Sequence, residues 1–206
     1  TTSGGTAIQL ALRAAGVTPG DKVLANAYTL APVPGAIYNT GGVPVLVEID
    51  DSYHIDLADL RRKAETHQAR YLLLSHMRGH IADMDAICAI AEEFGIAIIE
   101  DCAHTIGARY HGIRSGNFGH VAAFSTQTYK HINSGEGGLL TTSDPLIAAK
   151  AIIMSGSYML YERHGARPGP EIFDQIKTRM PNFSCRMDHL RAALIRTQLS
   201  SLDDTI

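Results

Sequence analysis

Three stretches of the sequence hold residue types that can do chemistry. Lys130 lies in FSTQTYKH, just ahead of the glycine turn GEGG. In a constrained, partly apolar place a lysine loses proton affinity and its amine becomes nucleophilic. In an open loop the same lysine is only a solvated charge. Asp101 closes the apolar run IAIIED, where an acid either serves a ligand or caps the next helix. SGGTAI (residues 3–8) runs straight into a helix, so its backbone N–H groups can meet an anion with the helix dipole behind them. The plain alternative is an N-cap by Ser3 or Thr6. HMRGH sets His76 and His80 four apart with no third ligand at metalloprotease spacing, so no metal is expected. His104, His111 and His120 read as polar surface or supporting residues, and Cys102 as a small buried one.

These residues need elements to place them. Strand-like apolar runs (KVLANAY, VPVLVEI, RYLLLSH, IAIIED) alternate with helical patterns (GTAIQLALRAAG, DLADLRRKAE, DMDAICAIAEEFG). Strands apolar on both faces, separated by helices, predict an α/β fold: a mostly parallel central sheet with helices on both faces. In such sheets ligands sit at the carboxyl ends of the strands, where Asn26, Tyr28, His76, Asp101 and Ser125 fall. ARYHGIRSG and HVAAFST read as two strands joined by a short turn, and GGLLTTS as one more. DPLIAAKAIIM reads as a helix with Pro145 just inside it. Residues 155–181 read as a loop, and MDHLRAALIRTQLSSL as one closing helix.

Composition excludes several classes. Of 206 residues 45% are apolar and 19% charged, which is globular rather than disordered. A net charge of -3 without a basic stripe gives no nucleic-acid surface. No run approaches the ~20 apolar residues of a membrane span, and the first residues lack a signal-peptide pattern. Three widely spaced cysteines (Cys88, Cys102, Cys185) suggest reduced thiols and a cytoplasmic setting.

An anion site, an acid at a strand end and a reactive lysine are together the three anchors that pyridoxal phosphate requires. The sequence also resembles the large domain of the DegT/DnrJ/EryC1/StrS family, the fold-type-I sugar aminotransferases. The likeness runs from SGGTAIQLAL through HMRGHIADMDAI, IIEDCAHTIGARYHGIRSGNFG and FSTQTYKHINSGEGG to RMDHLRAALIR. The resemblance implies a three-layer pyridoxal-phosphate-dependent transferase domain over 1–154. Residues 155–206 would then be a loop and long helix leading to a small domain beyond the chain. It makes Lys130 the residue that holds the cofactor's aldehyde and Asp101 the partner of its ring nitrogen. The amides of Gly5, Thr6 and Ala7, with the Ser125 hydroxyl, would hold its phosphate, and His104 would sit near its ring hydroxyl.

Two positions depart from the family pattern. Leu30 stands where an aromatic residue usually stacks on the cofactor, with Tyr28 two residues earlier. Ser184 replaces an asparagine, with Asn182 two residues before it, and both are further cofactor candidates. Members are roughly twice as long, so the chain is expected to be a fragment of a homodimeric enzyme. The implied reaction moves an amino group from glutamate or glutamine to a keto-sugar of the nucleotide-linked kind. The alternatives are a sugar dehydratase of the same family, in which histidine replaces the lysine, and a non-catalytic cofactor-binding module.

Overall fold

Five short runs lie side by side in parallel: β1 (Lys22–Asn26), β2 (Val43–Val47), β3 (Tyr71–Ser75), β4 (Ala97–Asp101) and β7 (Val121–Ser125). β8 (Gly138–Thr141) joins antiparallel at one edge, giving the order β2-β1-β3-β4-β7-β8. Between β4 and β7, β5 (Arg109–Tyr110) and β6 (Ile113–Arg114) form a separate antiparallel pair. The computed structural model describes the backbone of residues 1–206 and every side chain except that of Thr205.

Helices cover both faces of the sheet. On one, α1 (Gly4–Ala15) buries Ala7, Ile8, Leu10, Ala11, Leu12 and Ala14. These pack with Val23, Leu73, Ile99 and Ala123 of the strands, and with α2 (Pro32–Asn39) and α5 (Pro145–Ser155). On the other, α3 (Leu57–His67) and α4 (Met84–Phe94) close over Leu24, Leu72, Leu74 and Ile98. The alternation is the strand period of two: odd-numbered side chains of β3 and β4 face α1, and even-numbered ones face α3 and α4. A fully buried leucine contributes about 1.5–3 kcal/mol, so the two faces dominate stability. Asp83 caps α4 through the Ala86 N–H, and Gly95 ends it in the left-handed region, as the sequence predicts.

Four expectations change. The segment after β1 contains α2, unseen in sequence because Pro32, Pro34 and Gly35 fall within one turn and a half. The prolines sit in the first turn, where an N–H has no intrahelical acceptor to lose. ARYHGIR is a hairpin rather than one strand, turning at His111 (φ 48°) and Gly112 (φ 84°). The stretch read as a loop holds α6 (Pro170–Ile176), whose Phe173 packs on Ile152 and Ile153 of α5. The closing helix is split into α7 (His189–Leu199) and α8 (Leu202–Thr205). Among the described residues no helix is long and apolar enough to cross a membrane.

Candidate active site

The carboxyl ends of β3, β4 and β7 lie side by side, and that of β7 meets the N-terminus of α1. Ser75 and Asp101 are register partners on neighbouring strands, and their side chains share the α1 face. Asp101 is buried: Oδ2 accepts from Ser75 Oγ at 2.8 Å and Oδ1 from the Ala103 N–H at 3.1 Å. Ser125, ending β7, lies against Gly4. A Cβ on Gly4 would stand 2.7 Å from Ser125 Cβ, so a glycine is what lets the helix start touch the strand end. A Cβ on Gly5 would meet no protein atom nearer than Pro32 at 3.8 Å.

The amides at this helix start divide into two pairs. Thr6 N–H donates to Ser3 Oγ and Ala7 N–H to the Ser3 carbonyl. Those of Gly4 and Gly5 have no acceptor among the described residues. Of the three amides expected at a phosphate, only Gly5's is therefore open, and Gly4's joins it. An anion in front of them would meet two donors, the positive helix end and the Ser125 hydroxyl.

Lys130 sits in a loop closed on itself by the bonds Thr128 N–H to Gly135 O, Lys130 N–H to Gln127 O, and Ser134 N–H to Thr126 O. From outside, α7 pins this loop: Gln198 Oε1 accepts from Asn133 N–H at 2.9 Å and its Nε2 donates to Asn133 O at 2.7 Å. Ile132 packs with Ile195 and Leu202. Lys130 and His104 line a cleft of about 320 Å³ with Leu30, Met77, Arg78, Tyr129 and His131. That volume is at the lower end for small-molecule sites. Burial pulls the Lys130 amine below the ordinary lysine range, and Asp101 only partly opposes this. His104 is also lowered, first by burial and then by the charge of Lys130. Both shifts favour neutral nitrogens.

Other candidates lie elsewhere. Tyr28 packs against Tyr53, ring centroids 5.1 Å apart, whereas Leu30 lines the cleft. Asn182 and Ser184 bond to each other and stand beside Gly156, away from the Lys130 cleft. A larger cavity of about 910 Å³ lies between β8, α5 and the segment after it, and holds neither Lys130 nor Asp101.

Sequence reasoning missed Glu100. Fully buried, it accepts from the N–H groups of Phe118 (2.8 Å) and Gly119 (2.7 Å) on Oε1, and of Gly116 (2.9 Å) on Oε2. His76 Nε2 adds a fourth bond at 3.1 Å. His76, Glu100 and Cys102 place possible ligand atoms within 4.8 Å of one another, but hydrogen bonds already occupy the Glu100 oxygens. The group anchors the 116–119 turn to β4. Burial alone would raise the Glu100 carboxyl, but bonds from His76, Gly119 and Gly116 outweigh it and hold it below the ordinary range. Its stabilisation is present above the unfolded value of about 4.3 and is lost as pH falls through the lower folded value. Glu100→Ala should cost about 3–5 kcal/mol by orphaning three N–H groups and His76. Urea titration at pH 7 and pH 4 checks this, the gap between parent and variant shrinking at the lower pH.

Pyridoxal phosphate would fit the residues present: two open amides and a hydroxyl for its phosphate, a carboxylate at the strand end, and a lysine of lowered proton affinity. Several known proteins are similar to this chain. It is 34% identical over 203 residues to a pleiotropic regulatory protein of Geobacillus stearothermophilus, covering 98% of this chain and 51% of that one. It is 36% identical over 202 residues to the dTDP-3-amino-3,4,6-trideoxy-alpha-D-glucose transaminase of Streptomyces venezuelae, covering 98% and 50%. Among solved structures, S. venezuelae DesV in complex with a ketimine intermediate superposes with TM-score 0.81 at 35% identity, covering 98% and 52%. The chain thus spans about half the length of the curated relatives it matches. Its residues 1–206 match the family model throughout, and the chain belongs to the DegT/DnrJ/EryC1/StrS aminotransferase family.

Proposed function

We propose that this chain is the cofactor-binding half of a pyridoxal-phosphate-dependent aminotransferase that moves an amino group from glutamate or glutamine to a nucleotide-linked keto-sugar. The supporting observation is the convergence of Lys130, Asp101, Ser125 and the open start of α1 on one edge of the sheet. The transaminase name of the Streptomyces relative supports the substrate class. Pyridoxal phosphate, when bound, supplies an electron sink. Asp101 would be the acid that favours a protonated ring nitrogen. Lys130 would hold the cofactor through its Nζ, whose lowered proton affinity suits it to take and return a proton. His104, half-buried in the same cleft, would be a further cofactor contact.

The working enzyme is a homodimer in the cytoplasm. Asn182 and Ser184, remote from Lys130 in their own chain, would then serve the site of the opposite copy. The free cysteines support a reducing compartment. The test is transfer of ¹⁵N from labelled glutamine or glutamate by the full-length protein, with a panel of nucleotide-linked keto-sugars. An ¹⁵N-amino sugar is expected. Loss of a sugar hydroxyl without nitrogen gain would identify a dehydratase instead, and no product from any sugar would favour a binding module.

The helix start offers a separate check. Gly5→Ala meets no protein atom nearer than 3.8 Å and should leave thermal stability unchanged or slightly raised. It should nonetheless weaken pyridoxal phosphate binding, because the new methyl stands where the phosphate approaches. Ser125→Ala should weaken binding about ten- to a hundredfold by removing one charge-assisted bond. Fluorescence titration of each variant with pyridoxal phosphate decides it; parent-like affinity in both would place the phosphate elsewhere.

A further inference from the structure

Asp101 is the terminus of a hydrogen-bonded relay that crosses three strand ends. Asn26, closing β1, accepts the Ser75 N–H on Oδ1 at 2.9 Å, and its Nδ2 donates to the Ser75 carbonyl at 3.2 Å and to the Tyr28 carbonyl at 2.9 Å. The β1–β3 register ends at Ala25 and Leu73, so the Asn26 amide takes over where the backbone ladder stops. Ser75, so fixed, donates its one hydroxyl proton to Asp101 Oδ2 at 2.8 Å. All three residues are at least nine-tenths buried, which strengthens each bond and makes its loss costly.

We propose that Ser75 is a positioning residue that sets the aim of Asp101 toward the cofactor's ring nitrogen, with Asn26 as its support. The inference rests on the reading of Asp101 as that partner. The hydroxyl holds Oδ2 in one rotamer, while the Ala103 N–H holds Oδ1. Removing the hydroxyl frees the carboxylate to turn and weakens only interactions made through it. A residue that merely supported the fold would affect every ligand contact alike.

The two cases separate with two probes: pyridoxal phosphate, and an analogue with C–H in place of the ring nitrogen. In the full-length protein, Ser75→Ala should raise the dissociation constant of pyridoxal phosphate about tenfold, the scale of one bond to a charged group. It should leave the analogue's within about twofold, and Ser75→Thr, which keeps the hydroxyl, should restore the parent value for both. Equal weakening for both probes, or no change for either, overturns the proposal. A parent that binds both probes equally well overturns the reading of Asp101, and this inference with it.

Discussion

Lys130→Ala should abolish the visible absorption band of pyridoxal phosphate on the parent protein and take amino transfer below detection. The lysine is in a loop fixed by its own backbone bonds and by Gln198, so its side chain is presented to the cleft from a set position. Burial lowers its proton affinity, raising the neutral fraction near pH 7, and only the neutral amine attacks a carbonyl. Below the folded value the amine is charged and inert, so activity should fall toward acid pH. Proton transfer by a positioned group alone is worth about 10²–10⁴-fold, and the covalent role adds to it. The measurement is an absorption spectrum of each purified protein with cofactor. An unchanged band in the variant would remove Lys130 from the chemistry.

Asp101→Asn separates binding from turnover. Asparagine has nearly the same shape: its Oδ1 can still accept from the Ala103 N–H while its Nδ2 donates to the Ser75 oxygen, so cofactor should still bind. What disappears is the fixed negative charge that stabilises a protonated ring, and removing one such preorganised group typically costs about 10²–10³ in rate. Cofactor affinity within tenfold of the parent, with kcat reduced by that factor, is the expected pattern. Near-normal turnover would mean that the acid only organises the end of β4.

The candidate residues could be singled out from residue order because their signal is local. Lys130 with its aromatic and glycine neighbours, and Asp101 at the end of an apolar run, keep their meaning without any distant contact. Glu100 could not be read so: its partners are 16, 18 and 19 residues away, beyond a hairpin, and next to Asp101 it passes for half of an acidic pair. The parallel sheet was legible from two-sided apolar strands, whereas α2 was hidden by prolines whose cost depends on their position in the turn. The state of the helix-start amides could not be read so, for a related reason. Which N–H groups stay open depends on how Ser3 caps the helix, and the motif alone does not state that.

The two acids that end β4 also bear on how the chain reaches its structure. AIIED is apolar without alternation, so burial scarcely distinguishes the native pairing from one shifted by a residue. Such a slip would exchange Glu100 and Asp101, putting an acid at the strand end in either frame. The native frame differs in that Glu100 meets four donors preset by the 116–119 turn and His76. Glu100 is thus a reading-frame marker for the sheet: it lets Asp101 be placed to the residue on a strand whose own pattern carries no phase.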